Sequence, residues 1–107
     1  SILFFKTISY EKSLLRWQKM TDEQIKKSLL TAKKIIAEIP DKEFTLKNIK
    51  SILLAEAELY KNRGELLWPL RVALSGQKKS PPPFEIADIL GKEETIKRLD
   101  KAIALFL

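Results

Sequence analysis

Residues 66–91 read LLWPLRVALSGQKKSPPPFEIADILG, and this stretch limits the fold more than any other part of the chain. Gly76 and Gly91 are natural helix stops, because a glycine accepts the left-handed conformation that closes a helix. Pro83 is a good first helical residue, since its missing N–H would have no helical partner there. Two short helices joined by a stiff basic loop are therefore predicted, spanning 65–75 and 83–90. Pro69 removes a hydrogen bond if it lies beyond the first turn. Counted from Glu65 it falls just past that turn, so the helix either starts nearer Trp68 or bends. The same segment places Arg71 among Pro69, Leu70, Val72, Ala73 and Leu74, an apolar setting in which a solvated charge is out of place. The expectation is a guanidinium that opens onto a recess beside the proline corner.

The rest of the chain carries the same punctuation. Residues 1–9 read as an entering linker, whose Phe4 and Phe5 need burial. A short helix is predicted over 10–20, with Leu14, Leu15 and Trp17 facing the core. Thr21-Asp22-Glu23-Gln24 is a capping box, in which the threonine oxygen accepts one orphan amide and the glutamine reaches back to another. Ile25, Leu29, Ala32, Ile36 and Ile39 then recur at helical spacing until Pro40. Thr45 caps a further helix with Leu46, Ile49, Ile52, Leu53, Ala57 and Tyr60 on its inner face, and Asn62-Arg63-Gly64 is a turn. Phe84, Ile86, Ile89 and Leu90 form the apolar face of the helix after the prolines. Glu93 and Glu94 open the last helix, where acidic groups suit the dipole, and Ile96, Leu99, Ala102, Ile103 and Phe106 carry its buried side. No segment alternates with period two. The fold class expected is all-α, a compact bundle of about five to six short helices forming one domain over 1–107, with a helical half at 10–60 and a motif-bearing half at 61–107.

The chemical inventory points away from catalysis and metals. The 107 residues contain no cysteine and no histidine, which removes disulfides, thiolate sites and the commonest general base and metal ligand. The neighbouring carboxylates Glu93 and Glu94, Glu56 and Glu58, and Asp41 and Glu43 fit helix starts or solvated faces rather than an acid–base dyad. No phosphate loop or dinucleotide fingerprint occurs. Lys19-Met20-Thr21-Asp22 echoes the Lys-Met-Ser-Lys signature of class I synthetases, but the capping box explains Thr21 better. No catalytic residue, cofactor site or metal site is expected in the chain. Its start, Ser1-Ile2-Leu3-Phe4-Phe5, is too short to cross a bilayer, and no membrane partner is expected. The apolar start without methionine suggests a piece of a longer protein. A net charge of +6 favours an anionic partner.

The motif-bearing half resembles a known family. Arg63-Gly64-Glu65-Leu66-Leu67-Trp68-Pro69-Leu70-Arg71-Val72-Ala73-Leu74-Ser75-Gly76, then Ser80-Pro81-Pro82-Pro83-Phe84-Glu85-Ile86 and Leu90-Gly91-Lys92-Glu93, is similar to the C-terminal anticodon-binding domain of bacterial glutamyl-tRNA synthetases. Leu3-Phe4-Phe5, Tyr10, Leu15 and Trp17 resemble the entry to the same subdomain, the last of the helical cage. The resemblance implies a non-catalytic module that reads the anticodon loop of tRNA(Glu). The catalytic domain of the same parent chain would ligate glutamate to that tRNA with ATP and magnesium. It also implies a cytoplasmic protein, expected to be monomeric. By resemblance Arg71, Ser80, Pro81 and Pro83 contact anticodon bases, Pro83 standing where the family commonly has leucine. Another arginine of the family belongs to a preceding subdomain outside this chain.

The residue chemistry fits those roles. Arginine presents five donors in a planar fork that can bond base edges and stack on base faces. Prolines offer rigid apolar surface, and Ser80 can exchange hydrogen bonds with a base edge. Lys78 and Lys79 are phosphate-backbone candidates that position without reading sequence. Plainer readings stand beside each. Arg71 could bond carbonyls at the end of its own helix or pair with Glu65 or Glu85. Lys78-Lys79 could be a solvated turn, and the three prolines a connector. Trp17 and Trp68, among leucines at helical spacing, read as core rather than as stacking platforms. The competing functional reading is a helical protein–protein scaffold whose basic charge is incidental.

Overall fold

A computed structural model describes residues 7–107, so the expected burial of Phe4 and Phe5, and most of the entering linker, lie outside the described residues. Helices α1 (Asp22–Glu38), α2 (Leu46–Ala57), α3 (Gly64–Ser75), α4 (Pro83–Leu90) and α5 (Lys92–Ala104) make the described part all-helical, with short 3-10 turns at Lys12–Leu15 and Asp41–Glu43. Among the described residues there is no strand. The all-α class is as expected from the apolar periodicity.

The caps explain the boundaries. Thr21 Oγ1 accepts the Gln24 amide at 3.1 Å, and Gln24 Oε1 accepts the Thr21 amide at 2.8 Å. That reciprocal pair starts α1 and disposes of the Lys-Met-Ser-Lys echo. Thr45 Oγ1 accepts the Asn48 amide at 3.3 Å and starts α2. Gly76 closes α3 at φ 69°, its amide donating to the Val72 carbonyl at 2.7 Å. A side chain there would be strained by the positive φ and would press on Ile8 as well. At the far end of α1, Lys92 Nζ donates to the Ile39 carbonyl at 2.7 Å, which gives the lysine of the Leu-Gly-Lys-Glu segment a structural task.

Helix α3 is the hub: it packs against α1, α2, α4, α5 and the first 3-10 turn. Its apolar residues wrap almost all the way round, so Leu66, Pro69, Leu70, Val72, Ala73, Leu74 and Ser75 are all buried. The helix runs through Pro69 and starts at Gly64, not at Trp68. The core adds Leu15, Ile25, Leu29, Ala32, Ile36, Ile49, Leu53, Ile86 and Leu99. Arg98 of α5 is 4% exposed, donating from Nη1 to the Leu74 carbonyl at 2.6 Å and from Nε to Glu94 at 2.9 Å. It satisfies a terminal carbonyl of α3 that the helix itself leaves free.

Several expectations need correcting. Residues 10–20 are not an α-helix: the 3-10 turn ends at an extended Arg16, and Gln18 has φ 53°. An α-helix would hand the Leu14 carbonyl to the residue 18 amide, but here it accepts the Trp68 indole N–H at 2.9 Å. Tertiary contact has overridden local propensity. Arg16 instead binds the Met20 carbonyl and Asp22, and its guanidinium, joined by Lys12, holds the exposed Asp22 carboxyl below the usual range. Leu46 and Ile52 are exposed, because α2 lies at the surface and buries only the stripe Ile49, Leu53, Ala57. Ile89 is exposed too. Steps of about 100° per residue carry it off the arc that buries Pro83, Phe84, Ile86 and Ala87.

Candidate nucleic-acid interface

Besides Glu65, the residues of α3 that escape burial are Gly64, Leu67, Trp68 and Arg71, at spacings of three, one and three residues, which is one face of a helix. These four residues form one side of a concave recess of about 280 Å3. Pro82, Pro83 and Phe84, at the start of α4, form another side, and Trp17 reaches in from the turn after the first 3-10 segment. The recess expected at Arg71 is therefore present, and it is more aromatic than the sequence suggested.

Gly64 is required by that closure. A Cβ placed on it would lie 2.4 Å from Trp17 Cε2, so the indole rests directly on the bare backbone of the first helical residue. Trp68 is fixed from its other end by the bond to the Leu14 carbonyl. Both tryptophans are half-buried and pack against the core, yet both line the recess. The expectation of core packing holds for both, and each also presents surface to the recess. The available signal was the 64, 67, 68, 71 spacing; Trp17 had none, because its turn is a product of tertiary contact.

The guanidinium of Arg71 lies over the Trp68 ring, with Cζ 4.9 Å from the ring centroid. Its Nη2 donates to the Lys78 carbonyl at 3.0 Å, and its Nε is buried with no acceptor among the described residues. No carboxylate pairs with it among those residues. Glu65 instead accepts the Asn62 amide at 2.9 Å, and Glu85 is exposed on α4. The contrast with Arg98 decides how to read this side chain. Arg98 holds a carboxylate and a helix-end carbonyl in the interior, as a structural arginine should. Arg71 holds one carbonyl of an exposed loop and leaves a buried donor unmatched, at a cost of ~1–3 kcal/mol for such a group. The rest of the half-buried side chain reaches the recess, where its fork has no carboxylate partner among the described residues.

The other site residues of the sequence reading fall around this centre. Pro83 is buried and lines the recess; so does Pro82, which was not singled out. Ser80 is half-exposed, its Oγ donating to the Pro81 carbonyl at 3.0 Å, and Pro81 is exposed. Neither lines the recess; both sit on the loop bordering it. Lys78 and Lys79 are exposed on the same loop. On the α2 side, Lys50 Nζ stands 6.0 Å from the centroid of the Phe84 ring. Stacking surfaces, a forked cation and flanking lysines are what single-stranded nucleic acid requires of a protein.

Fold and site together define an all-α module with an arginine–aromatic recess of the nucleic-acid-binding kind. Over residues 1–103 the chain matches the anticodon binding domain family, and it belongs to that family. It is 36% identical over 103 residues to a glutamate–tRNA ligase of Clostridium kluyveri, covering 94% of this chain and 21% of that protein. A glutamate–tRNA ligase 2 of Thermoanaerobacter pseudethanolicus is 35% identical over 107 residues, covering 96% of this chain and 21% of the relative. A glutamate–tRNA ligase of Clostridium botulinum is 48% identical over 58 residues, 52% of this chain and 12% of its own length. The chain thus spans about a fifth of the length of the relatives that match it throughout.

Proposed function

We propose that this domain recognises the anticodon loop of tRNA(Glu) as part of a glutamate–tRNA ligase. The observation that carries the reading is the shared face of α3. It sets Arg71 and Trp68 side by side in a recess walled by Pro83, with the guanidinium free of any carboxylate among the described residues. A flipped-out base can stack against the aromatic and proline surfaces while Arg71 bonds its edge. Ser80 and Pro81 border the recess and meet neighbouring bases, and Lys78 and Lys79 contact phosphates. Glutamate activation with ATP and magnesium belongs to a catalytic domain elsewhere in the parent chain. No residue of this domain is assigned to those groups. The protein is proposed to act in the cytoplasm as a monomer.

The test is Arg71→Ala in the full-length enzyme. The expected loss is ~1–3 kcal/mol in tRNA affinity or in kcat/KM for charging, the size for a base-reading arginine. Equal charging by variant and parent would refute the assignment. A titration with tRNA across salt concentrations should give a negative slope as phosphates displace counterions. A flat response would favour a protein-binding scaffold instead.

A further inference from the structure

Among the groups around the recess, Trp68 is held from two sides at once. Its indole N–H is held by the Leu14 carbonyl at 2.9 Å, a bond that ties α3 to the 3-10 turn from more than fifty residues earlier in the chain. Its ring face lies under the Arg71 guanidinium, with Cζ 4.9 Å from the centroid. The two residues are one helical step of three apart, so the stack is built into α3 and does not depend on the loop. Among the described residues the guanidinium has one other anchor, the Lys78 carbonyl on the exposed loop. Without a platform, an arginine side chain has several rotatable bonds through which to lose its orientation. A rigid ring beneath the fork removes that freedom before any ligand arrives, as preorganised recognition requires.

We infer that Trp68 is a positioning residue for base reading: through the Leu14-anchored indole it sets the plane of the Arg71 fork, and so acts on anticodon discrimination through Arg71. This rests on the reading of Arg71 proposed above. It makes the unusual turn at residues 16–20 part of the recognition apparatus, since an α-helix there would withdraw the Leu14 carbonyl from the indole.

The experiment compares full-length parent, Arg71→Ala, Trp68→Leu, Trp68→Phe and the double variant. Each is titrated with a tRNA(Glu) anticodon stem-loop and with the same stem-loop whose anticodon bases are replaced. For Trp68→Leu the ratio of the two affinities should fall roughly threefold to thirtyfold, the range for losing a cation–π contact, with the salt slope unchanged. Adding Arg71→Ala to Trp68→Leu should cost little more than Arg71→Ala alone, because both act through one fork. A merely structural tryptophan would lower both affinities equally and leave the ratio intact, and that result overturns the inference. If Trp68→Leu does not fold, Trp68→Phe decides: its weaker ring face and missing N–H should still compress the ratio by roughly twofold or more. An uncompressed ratio there is equally fatal. Should Arg71→Ala leave discrimination whole, the base-reading proposal itself fails and takes this one with it. If Arg71→Ala abolishes discrimination while the Trp68 variants keep it, the positioning role alone is wrong.

Discussion

Replacing Gly64 with alanine would test whether the recess is shaped by the close approach of Trp17 to α3. The added methyl would lie 2.4, 2.7 and 2.8 Å from Cε2, Cζ2 and Cδ2 of the Trp17 indole, distances that real Cβ contacts essentially never show. The atoms it meets are the fused-ring body, which cannot bend aside, so the tryptophan or the helix start must shift. Overpacking of this kind costs ~1–3 kcal/mol. Against it stands the better helix propensity of alanine, at most ~1 kcal/mol and less in a first turn. The net expectation is a loss of about 1–2 kcal/mol. For a domain of this size each kcal/mol moves the midpoint by ~4–8 °C, so thermal unfolding followed by circular dichroism should show Tm lowered by roughly 4–16 °C. Trp17→Leu in the same background should make the alanine less costly, giving a double-mutant cycle that is clearly non-additive. An unchanged or raised Tm for Gly64→Ala would refute the argument, because helix propensity would then be the larger effect.

Other outcomes follow from the same contacts. Arg98→Leu should destabilise the domain by about 2–4 kcal/mol in urea unfolding, since it strands the Leu74 carbonyl and removes the partner of Glu94; a change under ~0.5 kcal/mol would contradict the buried-network reading. Burial pushes the Tyr10 phenol from 10.0 up to about 12, so the native state keeps a proton that the unfolded chain has lost in that window. Stability from this group is complete below pH 10 and declines as pH rises towards 12; ultraviolet titration of parent against Tyr10→Phe should show the late-ionising phenol, and its absence would count against the packing of that ring. Lys79→Ala should weaken binding of every RNA alike and make the salt slope shallower by ~1, whereas a loss confined to one anticodon would contradict a phosphate role.

Much of this was legible without coordinates. The capping box at Thr21, the threonine cap at Thr45, Gly76 after α3 and Pro83 at the head of α4 are local devices, each completed within a few residues. Apolar spacing located most of the core for the same reason: a helix that must bury one face advertises it at 3.6-residue intervals. The lone Arg71 among leucines was visible as an anomaly, and the resemblance through residues 63–93 gave it a family role.

The amino-acid order by itself determined the helices, their ends, and which arginine to watch, because those properties depend on backbone hydrogen bonds and periodicity over one or two turns. Only tertiary structure decided that residues 10–20 would abandon the helix, that Trp17 would settle on Gly64, and that Trp68 would hold the guanidinium from below. It also assigned the fully structural role to Arg98, which the sequence did not distinguish. Each of those outcomes is a contact between segments far apart in the chain, where packing and the demand of buried donors for acceptors outweigh local preference.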